Sequence, residues 1–379
     1  MNIAFVSSFS YLDHVVCLLN ALSPANRIVL YLVDVGDRPG LYSKSSEQLV
    51  GRSQYEHLRE LDRRVEIVAV ILPALTARNV GSWRIAFKVV NQIRKGGFDV
   101  CHIEYVLTQF LPLVLIKHLA LVADIHDPFP HTGEPRSLFL ALRLKLFLQH
   151  SSAIIIHNQH LRAKFERRFN LDKTRVYVVP LGILYTYTKW TSQNTEQDGT
   201  ILFFGRIYPY KGLEYLAQAW PIIRESVANS RLLVAGKGER YFDMSVFERD
   251  PRVEFHFRYI SNAELVSFIL RASVIVVPYL DATQSGVVLT AYAFGKPVVA
   301  TNVEGLRDVV EDGVTGFVVP PKDHERLANA IMVLLNNHSL RRQMAQTIME
   351  RSHHEFAWLT IAERTIAVYE KATQTLRNG

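Results

Sequence analysis

The chain alternates short β-branched runs with segments of helical spacing, and this alternation constrains its fold more than any other feature. In the first half, seven runs have the composition of strands: Asn2–Ser7, Arg27–Asp34, Val65–Leu72, Asp99–Ile103, Leu121–His126, Ala153–His157 and Val176–Pro180. Helical spacing lies between them, at Leu12–Leu22, Trp83–Lys95, Ser137–His150 and Gln159–Phe169. Strands separated by helices in this rhythm form βαβ units, so we predict a parallel sheet covered on both faces.

The alternation stops in a polar, irregular stretch at 182–199 and then begins again. Strands are predicted at Ile201–Phe204, Arg231–Ala235, Val253–Phe257, Val274–Pro278, Val298–Ala300 and Gly316–Val319. Helices are predicted from Lys211, from Asn262, from Ser285 and then to the end of the chain. Two such series in 379 residues predict an α/β protein with two Rossmann-like, doubly wound domains and a ligand cleft between them.

The predicted boundaries follow from this pattern. Residues 1–185 form an N-terminal domain, 186–199 a linker and 200–352 a C-terminal domain. Residues 353–379 are predicted to form a C-terminal helix that packs back on the N-terminal domain.

Composition and local patterns exclude several classes of protein. Hydrophobic residues make up 49% and charged residues 21%, as in globular proteins. The most apolar stretch, Val106–Ile125, contains Lys117 and Asp124, so we interpret it as a buried helix followed by a buried strand. Cys17 and Cys101 lack CxxC spacing, which argues against a zinc site or a disulfide scaffold. With no secretory signal in the first residues, we expect a cytoplasmic protein.

The net charge of +7 is distributed unevenly between the two halves. Residues 1–190 contain 23 Lys and Arg against 15 Asp and Glu, whereas residues 191–379 contain 20 against 21. The excess in the first half fits either a soluble surface or an anionic partner, such as a membrane or a lipid phosphate. No nucleic-acid motif accompanies the charge, so we expect no nucleic-acid partner.

The first motif with chemical content is Phe203–Gly212. A predicted strand ends at Gly205, and Arg206 and Lys211 follow in the loop before the next helix. Two cations held at the carboxyl end of a strand suit a diphosphate, although a solvated basic loop has the same sequence pattern.

The second motif is Asp281–Ala300, which follows another predicted strand. Ser285 or Thr283 can cap a helix of small residues, and Gly286 leaves backbone N–H groups accessible to an anion. The alternative is an ordinary capped helix in the core. If both motifs are functional, they converge on the same phosphate groups.

These segments resemble the donor-binding domain of glycosyltransferase family 4, together with Asn302–Gly305 and Glu311–Pro321. The first half is similar through Ile125–Pro128, Ile154–His157 and Val179–Gly182. The resemblance implies a GT-B fold, with an acceptor-binding N-terminal domain and a C-terminal domain that binds a nucleoside-diphosphate sugar. It also implies retention of anomeric configuration without a metal or other cofactor, and the sequence contains no Asp-x-Asp motif.

By the same resemblance, Arg206 and Lys211 bind the donor diphosphate, and His126 faces the transferred sugar from the N-terminal domain. The remaining predicted donor contacts are Tyr259 and Ile260 near the base, and Thr283, Gln284, Ser285, Gly286, Val287 and Thr290 around the diphosphate and sugar. His126 at a strand end and the Tyr259 loop also have purely structural interpretations.

Two departures from the family pattern stand out. The family commonly has two glutamates eight positions apart, and here Ala282 and Thr290 occupy those positions. The carboxylate that usually binds the ribose is therefore absent, and the sugar-binding one is absent or replaced by Gln284 or Asp281. The usual glycine-rich turn after the first strand is replaced by Ser7–His14.

The sequence therefore predicts a retaining hexosyltransferase acting on a glycan or lipid-linked acceptor in the synthesis of a surface polysaccharide or glycolipid. A degenerate transferase serving as a nucleotide-binding scaffold is the main alternative, and an epimerase on the same fold is a third. The apolar helix at Ser137–His150, with Arg143 and Lys145, suggests a peripheral position on the inner face of the plasma membrane. The alternative is a structural role in which Leu138, Leu142 and Leu146 pack on the sheet.

Overall fold

The computed structural model describes residues 1–36, 40–43, 53–76, 78–104, 108–132, 138–190 and 192–378. The chain divides into two compact units. Unit 1 comprises Met1–Pro128, Arg136–Gly182 and Trp358–Gly379, and unit 2 comprises Phe129–Pro135 and Ile183–Ala357.

Unit 1 is built on an eight-stranded sheet. Its strands are β1 (Asn2–Ser8), β2 (Arg27–Val35), β3 (Gly40–Ser43), β4 (Glu66–Leu72), β5 (Val100–Ile103), β6 (Ala120–Ile125), β7 (Ala153–Ile156) and β8 (Val176–Val178). They lie in the order β3-β4-β2-β1-β5-β6-β7-β8. All neighbours pair in parallel except β3 and β4. The strand order reverses between β1 and β5, and polar residues at that edge converge on one place.

The helices of unit 1 begin where side chains satisfy their first N–H groups. They are α1 (Leu12–Leu22), α2 (Val80–Lys95), α3 (Leu138–His150) and α4 (Gln159–Phe169). The Asn79 side chain accepts a hydrogen bond from the N–H of Ser82, so α2 begins three residues earlier than predicted. Asn158 caps α4 in the same way.

Unit 2 contains a six-stranded parallel sheet. Its strands are β9 (Thr200–Phe204), β10 (Arg231–Gly236), β11 (Val253–Phe257), β12 (Val274–Val277), β13 (Val298–Thr301) and β14 (Gly316–Val319), in the order β11-β10-β9-β12-β13-β14. Its helices are α5 (Leu213–Ser226), α6 (Ser245–Glu248), α7 (Asn262–Arg271), α8 (Gly286–Ala293), α9 (His324–Leu335) and α10 (His338–His354). The order reverses between β9 and β12, the two strands that precede the motifs singled out in the sequence.

The last helix, α11 (Trp358–Asn378), belongs to unit 1. Trp358 fits against the backbone of Gly182, where a Cβ would lie 2.5 Å from the indole ring. The helix begins five residues later than predicted, because α10 and a short break occupy residues 338–357.

Three other features differ from the sequence predictions. Residues 186–199, predicted as a linker, belong to unit 2: the N–H of Gln197 donates to the Arg271 carbonyl, and Asn194 donates to Ser267. The predicted helix after Val106 is a 3₁₀ helix at Thr108–Leu115, because Pro112 has no N–H to continue an α-helix. The antiparallel edge strand β3 was not predicted. Residues 106, 107, 137 and 191 of the predicted segments lie outside the described residues.

Helix α3 presents a row of leucines to solvent. Leu138, Leu142 and Leu146 are 90%, 67% and 43% exposed, whereas Phe147 and Leu148 on the same helix are fully buried. The expectation that the three leucines pack on the sheet is therefore wrong. Within the described part of the chain, no helix combines the length and the hydropathy needed to cross a bilayer.

Gly212 closes the turn after β9 in a backbone conformation that favours glycine. Its φ is +65°, and a Cβ at this position would lie 1.9 Å from the carbonyl oxygen of Pro278. Because the obstacle is backbone, Gly212→Ala combines left-handed strain with a direct clash. We expect it to lower the free energy of unfolding by roughly 3 kcal/mol or more in urea denaturation.

Gly313→Ala is the matched control, because Gly313 has a φ of +76° with nothing within 4 Å of its Cβ position. This variant should lose only the left-handed strain, roughly 1–2 kcal/mol. Equal losses in the two variants would contradict the close approach of Gly212 to Pro278.

Candidate functional site

In unit 2, the two predicted motifs meet at the carboxyl ends of β9 and β12. Gly205 ends β9 with a φ of +117°, and its Cβ position lies 3.4 Å from the side chain of Val287 in the second motif. The N–H of Leu280, after β12, donates to the carbonyl of Tyr210 in the first motif. The two loops therefore form one edge of the unit, at the position where parallel sheets bind ligands.

Aromatic rings hold the two cations of the first motif. The Lys211 ammonium lies 3.8 Å from the ring centre of Tyr279 and 5.0 Å from that of Tyr210. Arg206 donates a hydrogen bond of 3.0 Å from Nη2 to the Tyr210 hydroxyl. Both aromatic side chains are buried, so they fix the cations without neutralising their charge.

Helix α8 begins beside these cations. The Ser285 hydroxyl accepts a hydrogen bond from the N–H of Val288 and caps the helix. Thr283 and Ser285 are buried, whereas Gly286 is exposed. The first N–H groups of a helix have no partner within the helix, so this terminus favours an anion.

The two positions that carry glutamates in the family, Ala282 and Thr290, are buried here. Ala282 is buried, and the carbonyl of Ala282 would lie 2.3 Å from a Cβ on Gly305, which explains the glycine in the 302–305 segment. Thr290 is also buried, and its hydroxyl donates to the Gly286 carbonyl at 2.8 Å. A ligand contact by the side chain of Thr290 remains a prediction, as does a contact by Gln284, which is half-buried.

Asp281 binds two residues that are distant from it in the sequence, His131 and Thr132. Its carboxylate contacts Nδ1 of His131 at 2.7 Å and accepts the N–H of Thr132 at 2.8 Å. The His131 ring is stacked on Tyr210, with centres 4.2 Å apart. Burial by itself raises the pKa of Asp281, but the bonds from His131 and Thr132 outweigh it and lower that pKa.

Asp281 therefore holds His131 and Thr132 in place, a structural role that its position in the sequence did not indicate. The sequence suggested it as a replacement for the missing sugar-binding carboxylate. His131 was not predicted as part of the site, although it is the next histidine after His126 and follows two prolines.

Tyr259 and Ile260 lie in the loop between β11 and α7. The side chain of Tyr259 is 61% exposed, and Ile260 packs against the core. A reciprocal pair of hydrogen bonds between Ser261 and Glu264 fixes the start of α7 next to this loop. The loop lies at the carboxyl edge of the sheet, and its contact with a nucleotide base remains a prediction.

In unit 1, His126 follows β6 and is part of a buried cluster at the carboxyl ends of the strands. Its Nε2 lies 3.6 Å from Glu104, which follows β5. The same Glu104 oxygen lies 3.1 Å from Nε2 of His14, and the other accepts a 2.6 Å hydrogen bond from Ser7. Burial alone raises the pKa of Glu104, but the contacts with His126 and His14 outweigh it and keep the carboxyl ionised.

A second carboxylate, Asp124, lies in the same cluster. It contacts Nε2 of His157 at 2.8 Å and Nε2 of His102 at 3.3 Å. The other ring nitrogen of His102 is 2.9 Å from the Tyr369 hydroxyl of α11. Burial raises the pKa of Asp124, but His157 and His102 outweigh it and lower that pKa strongly.

The types of side chain in this cluster would suit a transition metal. The potential ligand atoms of His14, Glu104 and His126 all lie within 4.8 Å of one another. The contact between His14 Nε2 and Glu104 Oε1 is 3.1 Å, which is the distance of an ion pair and is also close to the spacing of about 3.3 Å between two ligands on a tetrahedral zinc ion.

The sequence analysis identified only His126 from this cluster. The others were missed because each stands alone in its own element: His102 and Asp124 lie within β5 and β6, Glu104 and His157 directly follow β5 and β7, and His14 lies in the first turn of α1. The available signal was a polar residue directly after a fully apolar run, which also occurs at ordinary strand ends.

Comparison with known proteins identifies the family. The family model described as "Glycosyltransferase Family 4" matches residues 27–184, and the model "Glycosyl transferases group 1" matches residues 198–337. D-inositol 3-phosphate glycosyltransferase of Corynebacterium efficiens is 26% identical over 84% of this chain and 82% of its own. Phosphatidyl-myo-inositol mannosyltransferase of Mycolicibacterium smegmatis is 26% identical over 75% and 74%.

A solved structure supports the same fold. Anabaena HepE, in complex with UDP and glucose, has a TM-score of 0.70 and 17% identity, covering 98% of this chain and 99% of its own. With both family models matched and this likeness along the chain, the protein belongs to glycosyltransferase family 4 and is a glycosyltransferase of the GT-B fold.

Proposed function

We propose that unit 2 binds a nucleoside-diphosphate hexose and that the enzyme transfers the hexose, with retention, to a glycan or lipid-linked acceptor. The single observation that carries the proposal is the meeting of Arg206, Lys211 and the start of α8 at one sheet edge. The related HepE was solved with UDP and glucose, and the two curated relatives are named for inositol-containing acceptors.

The chemistry of this edge is electrostatic. As the bond between the sugar carbon and the phosphate oxygen breaks, negative charge accumulates on the diphosphate. Arg206 and Lys211 stabilise that charge, and their aromatic supports keep them oriented before the reaction begins. A bond forms from the acceptor oxygen to the sugar carbon on the same face, and the departing phosphate oxygen takes the acceptor proton.

A nucleotide-binding scaffold is the second candidate. The observation that favours it is the residue at the usual ribose-binding position. Thr290 stands there in place of a carboxylate, and its hydroxyl bonds to the Gly286 carbonyl of its own helix. This candidate would be favoured if the protein binds a nucleoside diphosphate, does not hydrolyse a nucleotide sugar and transfers no sugar to any acceptor in a glycan and lipid panel.

Replacing either cation should slow sugar transfer. We expect Arg206→Ala and Lys211→Ala each to reduce turnover on the order of 100-fold, because each removes one charge from the leaving group. Arg342→Ala, at an exposed cation on α10, is the control and should leave turnover unchanged. Radiolabelled sugar transfer measures the rate, and normal turnover in either site variant would contradict the diphosphate assignment.

We also propose that no metal ion takes part. Arg206, Lys211 and the helix terminus supply the positive charge that a metal ion supplies in other transferases. Activity should therefore persist in excess EDTA. Inactivation that is reversed by Mg²⁺ or Mn²⁺, but not by Ca²⁺, would show that the chain does not supply this charge.

We propose that unit 1 binds an anionic membrane surface through α3. Its exposed leucines lie four residues apart along the helix, and α3 packs beside α4, which exposes Lys164, Arg167 and Arg168. An apolar row next to a basic face is typical of helices that lie in the bilayer interface. The acceptor proposed here includes lipid-linked molecules, which such a surface would approach.

Binding to anionic vesicles should depend on both charge and the leucine row. We expect sedimentation with phosphatidylglycerol vesicles at low salt and release as salt rises past about 0.15 M. Leu142→Ser should weaken this binding. Leu359→Ser is the matched control, because Leu142 and Leu359 are similarly exposed, at 67% and 69%, but Leu359 lies on α11; this substitution should leave the binding unchanged. Equal effects of the two substitutions, or equal binding to neutral vesicles, would contradict the proposal.

A further inference from the structure

Glu104 is a buried carboxylate that the electrostatic account of sugar transfer does not use. Its side chain is fully buried, and it stands directly after β5, where an apolar residue would suit the core. Burying a charge costs free energy even when partners are present, and hydrophobic replacements of buried ion pairs are often neutral or stabilising. The position of this carboxylate therefore calls for a role other than stability.

Three separate elements converge on Glu104. Ser7 at the end of β1 donates to one oxygen at 2.6 Å. His14 of α1 lies 3.1 Å from the other oxygen, and His126, after β6, lies 3.6 Å from it. Ser7 therefore holds one oxygen of the carboxylate, and His14 and His126 share the other.

The ring of His126 is restrained in two directions. It stacks on Tyr11, with ring centres 4.4 Å apart and planes 13° apart, and it lies 4.6 Å from the ring of His157. Stacking fixes the plane of the ring, whereas the contact with Glu104 fixes which edge faces inward. At 3.6 Å the contact is too long for a hydrogen bond, but the negative charge of the carboxylate favours a proton on the facing Nε2.

We propose that Glu104 is a positioning residue for sugar transfer: anchored by Ser7 and His14, it fixes the ring orientation and the Nε2 proton of His126. The inference rests on the proposed sugar transfer and on the prediction, from the family resemblance, that His126 faces the transferred sugar. The low pKa of Glu104, caused by its histidine contacts against the effect of burial, agrees with a permanently ionised carboxylate.

Asp124 provides a matched control within the same cluster. It is as deeply buried as Glu104, and its direct contacts are with His157 and His102. Asp124→Asn therefore removes a buried charge from unit 1 while leaving the contacts of Glu104 with Ser7, His14 and His126 in place.

The test is a double-mutant cycle between Glu104 and His126. Glu104→Gln should lower kcat about 10- to 100-fold without changing the Kd for nucleoside diphosphate. The range is that seen in metal sites when a residue that orients a functional histidine is lost. In a His126→Ala background the same substitution should change kcat less than about twofold, because its effect runs through the imidazole. Asp124→Asn should depend less on the His126 background than Glu104→Gln does, because the direct contacts of Asp124 are with His157 and His102.

Two further measurements keep the proposal testable if Glu104→Gln folds poorly. Ser7→Ala removes an anchor but retains the charge, and it should lower kcat severalfold only when His126 is present. Long-range ¹H–¹⁵N spectra should show His126 protonated on Nε2 in the wild type and a shift towards the other tautomer in Glu104→Gln.

The outcomes separate this inference from the proposed function. Normal kcat in Glu104→Gln combined with impaired His126→Ala would overturn the positioning role alone. An equal loss from Glu104→Gln with and without His126 would also overturn it. Normal kcat in both single variants would instead show that His126 does not meet the sugar, which contradicts the prediction for His126 and leaves the proposed site in unit 2 unaffected.

Discussion

The proposed donor site of unit 2 depends on a close approach of two backbone segments at the carboxyl edge of its sheet. Gly212 leaves no room for a side chain between itself and the Pro278 carbonyl, and the N–H of Leu280 donates to the carbonyl of Tyr210. This approach brings the loop after β9 against the loop after β12. It sets Tyr279 beside Lys211, so the position of that cation follows from a backbone contact.

In unit 1, the polar residues at the carboxyl ends of the strands are buried and pair with one another. Its strands β1, β5, β6 and β7 end in polar residues that would be costly to bury singly. Glu104 and Asp124 each pair with two histidines, and Ser7 and Tyr369 satisfy further atoms at the margins of the cluster. Such a network orients every ring it contains, because no member can rotate without breaking a contact elsewhere.

The sequence predicted most of the framework because the framework is local. Each strand of a parallel sheet is a short β-branched run, and helices begin where a side chain such as Asn158 caps the first turn. The predictions were wrong where a single residue overrides the pattern, as Pro112 does. Tertiary contacts decide the assignment of residues 186–199, which belong to unit 2.

The candidate sites of the two units differed in how far they could be predicted. In unit 2 the cations and the capped helix lie within two contiguous motifs, so spacing alone indicated an anion site. The aromatic supports of Lys211 and the contact between Asp281 and His131 depend on residues distant in sequence. In unit 1 the cluster is assembled from single residues in or after separate strands and in α1, and only the fold brings them together.

The most direct test of the central claim is the melting temperature of the protein with nucleoside mono- and diphosphates and diphosphate sugars of each base. A ligand that binds only the native state raises the melting temperature with the logarithm of its concentration. The account predicts a rise with the diphosphate and diphosphate sugar of one base and a much smaller rise with its monophosphate, because Arg206 and Lys211 bind the diphosphate. Equal rises with mono- and diphosphates, or none with any ligand, would contradict it.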